Sequence, residues 1–229
     1  MKVYAISDLH LSFGTDKPMD VFGSHWKGHW DRIKEDWYSK VSEDDIVLIA
    51  GDLSWAINYD EARKDLFEIC SLPGHKVLSR GNHDYWHSSL KKTKELLFNR
   101  TEYVQNNAVV IGDYAFCGTR GWMQKDASYT EEDEKIYQRE LIRLELSLKE
   151  GAKTGKEIIG MIHYPPFEQD ISGSPFTDMF KAYGVRTVIF GHIHGLEPGR
   201  SQFGDITLDD TRYLLTSCDY LDFRLMRII

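Results

Sequence analysis

The amino-acid sequence predicts an α/β protein, and three observations carry that prediction. Short, β-rich apolar runs recur along the chain as buried parallel strands do: VYAIS, IVLIA, KVLS, IIGMI and TVIF. Segments of helical period alternate with the first of these runs, the order that builds a parallel sheet with crossover helices. Each run also stops at residues able to bind a metal: Asp8 and His10, Asp52, Asn82 and His83, His163, and His192 with His194. Open α/β sheets assemble their sites from loops at the carboxyl ends of strands, so all of these residues are expected at one edge of the fold.

Taken in order, Lys2 to Ser7 is the first strand, and a loop containing Gly14, Pro18 and Gly23 follows it. Trp26, Trp30, Ile33 and Trp37 then fall at helical spacing, predicting an amphipathic helix with a tryptophan stripe toward the core and Trp26 nearest the loop, while His25 and His29 are expected at the surface. Ile46 to Ala50 is a strand, Asp60 to Cys70 a helix closed by Pro73 and Gly74, and Lys76 to Ser79 the next strand. Between Tyr103 and Thr119 the pattern changes to short β runs broken at Asn106-Asn107 and Gly112-Asp113, which predict hairpins and a second, mixed sheet. Thr130 with Glu131, Glu132 and Asp133 starts a helix to about Lys149, the acidic run suiting the positive end of its dipole. Strands near Glu157 to Ile162 and Arg186 to Phe190 precede a tail whose runs, Thr211 to Ser217 and Phe223 to Ile228, are expected to complete the second sheet.

A chain of 229 residues without a linker is expected to form a single domain over 1–229. The net charge of −8 argues against an extended nucleic-acid surface or an anionic-membrane surface, since both are read by clustered Lys and Arg. Cys70, Cys117 and Cys218 are odd in number and lack CxxC spacing, so they are expected as small buried hydrophobes in a reducing compartment. No signal-like segment precedes the first strand and no apolar run reaches membrane-spanning length, which predicts a cytoplasmic protein.

In Asp8-Leu9-His10 and His192-Ile193-His194 the polar residues are two apart, so in extended backbone each pair faces one way and can grip one ion. Imidazole and carboxylate donors without thiolate suit Mn, Fe, Zn, Co or Ni. Together DLH, GD, GNHD, a histidine after an apolar run, and GHIH occur in the order found in calcineurin-like metallophosphoesterases, which the chain closely resembles from Asp8 to His194.

That resemblance implies a four-layer α/β/β/α sandwich with two facing mixed sheets. It implies two divalent or mixed-valence transition-metal ions, Mn or Fe favoured: the first on Asp8, His10, Asp52 and His194, the second on Asp52, Asn82, His163 and His192, with Asp52 bridging. His83 would sit over the substrate as the catalytic residue, with Asp84 hydrogen-bonded to its imidazole. The reaction implied is hydrolysis of a small soluble phosphomonoester or phosphodiester by a metal-bridging hydroxide, with His83 protonating the leaving oxygen. Gly51, Gly81 and Gly191 would let backbone approach the ions, and Pro165 and Pro166 would stiffen the loop after His163.

The match also departs from some branches of the family. The segments Gly51-Asp52-Leu53-Ser54 and Gly81-Asn82-His83-Asp84 differ from the GDxVDRG and GNHE of protein Ser/Thr phosphatases, and Trp55 stands where purple acid phosphatases carry tyrosine. Trp55 is expected to pack or to wall the pocket. Arg120, and less so Arg80, are candidate phosphate-binding groups. Substrate choice is expected to lie in residues 12–30, 120–130 and 165–178, including Tyr129, Phe167 and Phe176. A non-catalytic scaffold of the same fold is the alternative, and the presence of His83 and of every expected ligand argues against it.

Overall fold

The computed structural model describes residues 1–197 and 200–229. In chain order its elements begin with β1 (Val3–Ile6), α1 (His29–Lys40), β2 (Ile46–Ile49), α2 (Tyr59–Cys70), β3 (His75–Leu78), α3 (Leu90–Lys94) and β4 (Thr101–Tyr103). There follow β5 (Ala108–Ile111), β6 (Tyr114–Thr119), α4 (Glu131–Ala152), β7 (Glu157–Ile162), α5 (Pro175–Ala182), β8 (Thr187–Phe190), β9 (Asp205–Leu208), β10 (Thr211–Leu215) and β11 (Met226–Arg227). One sheet has the order β11-β1-β2-β3-β4 and the other β5-β6-β7-β8-β10-β9. Both are mixed: β1 to β4 run parallel with β11 antiparallel at the edge, and β6, β7, β8 and β10 run parallel between antiparallel β5 and β9.

Side-chain alternation sorts these sheets into four layers. Val3, Ala5, Ile46 and Leu48 turn inward and meet Phe116, Ile159, Met161 and Ile189 of the facing sheet. Their neighbours Tyr4, Ile6, Val47 and Ile49 turn outward onto Ile33 and Trp37 of α1 and Leu66 and Ile69 of α2. On the far side Ile158, Ile162, Val188 and Phe190 pack under Leu144 and Leu148 of α4 and Phe176 and Phe180 of α5. Each strand is therefore apolar on both faces, which is why the runs read as continuous rather than alternating. The α/β/β/α sandwich with two mixed sheets is the architecture expected from the sequence.

Helix ends follow local chemistry. Asn58 accepts from Glu61 N to start α2, and Thr130 and Asp133 form a reciprocal capping box at α4. Trp26 falls outside α1: Gly28, left-handed at φ 63°, starts that helix two residues later, and Trp26 ends a short 3-10 turn instead. His29 is half-buried rather than on the surface, its ring nitrogens 3.2 Å from Trp26 O and 3.0 Å from Leu9 O. Gly112-Asp113 makes the expected two-residue hairpin between β5 and β6. Asn106-Asn107 does not: β4 pairs with β3 in the first sheet and β5 lies in the second. Asn107 Oδ1 accepts from Gln105 N and its amide donates to Tyr103 O, so the turn carries the chain between sheets. The tail divides likewise, β9 and β10 joining the second sheet while β11 returns beside β1. The three cysteines are free and buried. Among the described residues no helix is long and apolar enough to cross a membrane.

Candidate metal centre

The loops leaving β1 and β2 continue their strands' pairing. Asp8 N donates to Gly51 O, His10 N to Asp52 O and Leu11 N to Leu53 O, each at 3.0 Å. This zipper holds Asp8 (φ 60°), His10 (φ 47°) and Asp52 (φ 52°) in left-handed backbone, and His192 (φ 72°) is held likewise after β8. Such conformations cost about 1–3 kcal/mol each and persist only where surrounding bonds over-determine them. Close approach adds a second demand: a Cβ on Gly81 would lie 2.1 Å from Asp52 Oδ1, and one on Gly191 2.4 Å from Asp8 Oδ2. Glycine at both positions lets backbone pass directly behind a buried carboxylate.

The seven residues expected as ligands come together. His10 Nε2 lies 3.3 Å from His194 Nε2 and 3.7 Å from Asp52 Oδ2. Asp8 Oδ1 is 3.6 Å from His194 Nε2 and 3.9 Å from His163 Nδ1. Asn82 Oδ1 lies 2.7 Å from His163 Nε2 and 3.0 Å from His192 Nδ1, while Asp52 Oδ2 is 3.4 Å from His163 Nε2. Asp8, His10 and His194 converge closely enough to hold one ion, and so do Asp8, Asp52 and His163. Asp8 is common to both groups, and Asp52 Oδ2 reaches His10 on one side and His163 on the other.

The tautomers explain what these atoms await. His163 Nδ1 faces Ala50 O at 3.0 Å, and a carbonyl only accepts, so the proton is on Nδ1 and Nε2 is bare. His194 Nδ1 likewise donates to the Asp219 carboxylate at 2.9 Å, which turns Nε2 inward toward His10 and Asp8. The buried donor set, imidazole with carboxylate and amide oxygen, fits borderline divalent metals.

Electrostatics tell the same story. Burial, reinforced by the charges of Asp8 and Asp84, pushes Asp52 up to about 7, with His163 opposing. Burial would also raise Asp8, but the hydrogen bond and charge of His194, with His163 and His10, hold it below the usual carboxylate range. Burial and the neighbouring His163 push His192 down to about 3. His194 rises to about 10, because the hydrogen bonds to Asp219 and Asp8 overcome the effect of burial. Two adjacent carboxylates that cannot both ionise comfortably are what a bound cation would resolve.

His83 borders the site. Its N–H donates to Asp52 Oδ1 at 2.8 Å, its half-buried ring lies 4.4 Å from the Trp55 ring centre, and burial lowers its pKa. The expected bond from Asp84 to this imidazole is replaced by another role. The Asp84 carboxylate accepts from Gly81 N (2.8 Å), Leu53 N (2.9 Å), Asp52 N (3.0 Å) and Trp86 Nε1 (3.1 Å), so it clamps the loops after β2 and β3 together. The His83 Nδ1 instead lies 3.5 Å from Tyr85 OH.

Arg120 is also differently engaged from the expectation. Its guanidinium pairs with buried Glu140 at 3.3 Å and lies over Trp122, 4.5 Å from the ring centre. Arg143 also pairs with Glu140, at 2.7 Å, and with Arg80 these residues line a small separate cleft. Phe176 is core under α5, and Phe167 is only 2% exposed. Asp219 and Ser217, which the sequence reading passed over, reach the centre directly: Ser217 Oγ donates to Asp8 Oδ2 at 3.0 Å and Gly195 N to Asp219 Oδ2 at 2.9 Å.

A cavity of about 440 Å³ opens over the centre, lined by His10, Asp52, His83, His192 and His194 on one side and by Met19, Phe22, Trp26 and Trp55 on the other. Trp55 both packs and walls this space, stacking on His10 at 4.8 Å and 22°. A second cleft of about 500 Å³, bordered by Gln124, Asp126, Pro165 and Glu168, adjoins it at His192.

Comparison with known proteins places these features in context. The family model for calcineurin-like phosphoesterases matches residues 1–196. A search of the curated proteins found no match. Solved structures share the fold at low identity. A Thermus thermophilus protein aligns at 10% identity over 98% of this chain and 96% of its own, with a TM-score of 0.61. A phosphopantetheinyl hydrolase from Mycobacterium tuberculosis aligns at 13% over 100% and 95%, with a TM-score of 0.55. A protein of unknown function from Aquifex aeolicus aligns at 14% over 99% and 95%, with a TM-score of 0.52.

Proposed function

Because the chain belongs to the calcineurin-like phosphoesterase family, we propose that it hydrolyses a small soluble phosphomonoester or phosphodiester at a pair of divalent transition-metal ions. Asp8, His10, Asp52 and His194 would hold the first ion and Asp52, Asn82, His163 and His192 the second, with Mn or Fe the first metals to try. When bound, the ions supply Lewis acidity, lowering the pKa of water and polarising phosphoryl oxygens. The observation that carries this reading is the convergence of imidazole nitrogens and carboxylate oxygens on either side of Asp52.

The chain's own residues divide the remaining work. His83, beside the ligands yet not among them, would protonate the leaving oxygen. Asn82 contributes an amide oxygen as ligand, and its neighbour's backbone N–H steadies Asp52. Trp55 and Trp26 screen the ligands from bulk water, stacking on His10 and meeting His194 edge-on. Asp84 keeps the loops that present Asp52 and Asn82 in register. The absence of lysine and arginine from the described lining of the main cavity leaves the substrate's charge to the metal centre.

The test is hydrolysis of p-nitrophenyl phosphate and bis(p-nitrophenyl) phosphate by metal-stripped protein resupplied with Mn, Fe, Zn, Co or Ni. Activity is expected on at least one ester, falling about 10²–10⁴-fold in His83→Ala while metal stoichiometry is kept. Asp52→Asn is expected to lose both metal and activity. Hydrolysis that survives in His83→Ala would remove His83 from the catalytic role, and inactivity of fully metal-loaded protein on every phosphoester would argue for the scaffold instead.

A further inference from the structure

We propose that the substrate carries a flat aromatic ring beyond the reacting phosphoryl, seated on the Trp55–Phe22 wall of the cavity; this deepens the phosphoesterase reading and rests on it. The geometry is a file of near-parallel rings leading from the metal ligands to solvent. Trp55 stacks on the ligand His10 with centres 4.8 Å apart and planes at 22°. Phe22 lies beyond Trp55 at 6.3 Å, its plane within 13° of the indole. Trp55 is only partly buried and Phe22 is 62% exposed, so this file ends at the cavity mouth with a large apolar ring in water.

Phe22 and its chain neighbour Val21, 71% exposed, leave an apolar edge at the mouth of the cavity, the kind of surface that an apolar occupant covers. Trp26 and Met19 continue the same wall, both nearly fully buried, so the surface under the ring is rigid. The indole Nε1 of Trp55 is held 3.1 Å from Met19 Sδ, which fixes the plane of the stack. Lys17 Nζ already sits 5.6 Å from the Trp55 ring centre, the attraction of a cation to an accessible π face. Stacking on aromatic side chains tolerates any flat ring, so the class includes nucleobases and simple aryl groups alike.

The experiment separates flatness from size and from leaving-group reactivity. Binding of benzylphosphonate and cyclohexylmethylphosphonate, which are not hydrolysed, is measured by calorimetry with metal-loaded wild type, Phe22→Leu and Phe67→Leu. Phe67 is exposed on α2 and lies outside the cavity lining, so its variant serves as a control for loss of a surface ring. The expected result is about five-fold or greater preference for the benzyl compound in wild type and Phe67→Leu, falling to near unity in Phe22→Leu. Equal affinity for both compounds, no measurable affinity for either, or a preference that survives in Phe22→Leu overturns the proposal. Hydrolysis of benzyl phosphate and cyclohexylmethyl phosphate is followed in parallel. If neither of these monoesters nor bis(p-nitrophenyl) phosphate is cleaved while the phosphonate preference holds, the phosphoesterase reading fails and the aromatic site stands.

Discussion

Replacing His87 with phenylalanine is expected to stabilise the protein, and to do so more strongly in acid. His87 is 4% exposed, its ring stacks on Tyr103 at 5.2 Å and 11°, and neither ring nitrogen has a hydrogen-bond partner. Burial, helped by the charge of Arg80, pushes its pKa down from 6.5 to about 4. The unfolded chain therefore takes up a proton near pH 6.5, where the folded one refuses it. The stability contributed by the neutral imidazole is complete above about 6.5 and is lost as pH falls toward 4. That interval corresponds to roughly 3 kcal/mol. Phenylalanine keeps the stack, does not titrate, and removes buried nitrogens whose desolvation costs about 1–3 kcal/mol. The variant should thus exceed wild type by about 1 kcal/mol or more at pH 8 and by about 3 kcal/mol further at pH 4. Urea unfolding of both proteins in chelator, at pH 8, 6, 5 and 4, gives the difference directly, and titration of the shared metal ligands cancels in it. A difference that stays flat with pH, or a variant less stable than wild type at pH 8, refutes the reasoning and means that His87 has a partner in the folded state.

Three further outcomes follow from the contacts around the centre. Asp219→Asn is expected to weaken metal binding about 10–100-fold by calorimetry, because the carboxylate holds His194 with Nε2 facing inward; unchanged affinity would remove Asp219 from the site. Asp84→Asn turns an N–H toward a carboxylate position that accepts from five donors, Ser54 N being the fifth, and should lower unfolding free energy by about 3 kcal/mol or more. If its urea midpoint matches wild type, the clamp is not what joins the two loops. Arg120→Ala should cost stability, leaving buried Glu140 with Arg143 and Thr119 alone, and should change kcat/KM by less than two-fold. A collapse of kcat/KM at unchanged Tm would instead restore Arg120 as a phosphate contact.

The residues that the sequence made legible are those whose role repeats. Five apolar runs each delivering a polar terminus marked one end of two sheets, and DLH, GD, GNHD and GHIH named the residues gathered there. The same pattern occurs a sixth time, in YLLTSC followed by Asp219, and reading it would have found the carboxylate that orients His194. Asp84 was harder, since a carboxylate beside a catalytic histidine carries no sign of whether it serves the ring or the backbone. Arg120 was misread for a related reason: its partner Glu140 lies 20 residues away on α4, where spacing gives no hint of the pair. Helix α5 was missed although Ser174-Pro175 is a start signal, Ser174 and Thr177 forming its capping box. Asn106-Asn107 reads locally as a hairpin, and only the contacts of the whole fold make it a passage between sheets.

The tie between Asp8 and Ser217 spans 209 residues of chain. Ser7 N also donates to Thr216 O at 2.7 Å, and Cys218 Sγ lies 3.0 Å from Asp8 O, so the first strand and the last turns of the protein close on each other over the ligands. Contacts of such separation form late in folding, after the entropy of a long loop has been met. During synthesis, then, the DLH segment leaves the ribosome long before the residues that brace it exist. The nascent chain must carry these ligands unbraced, and a chain interrupted before Ser217 would leave Asp8 and His194 without their supports.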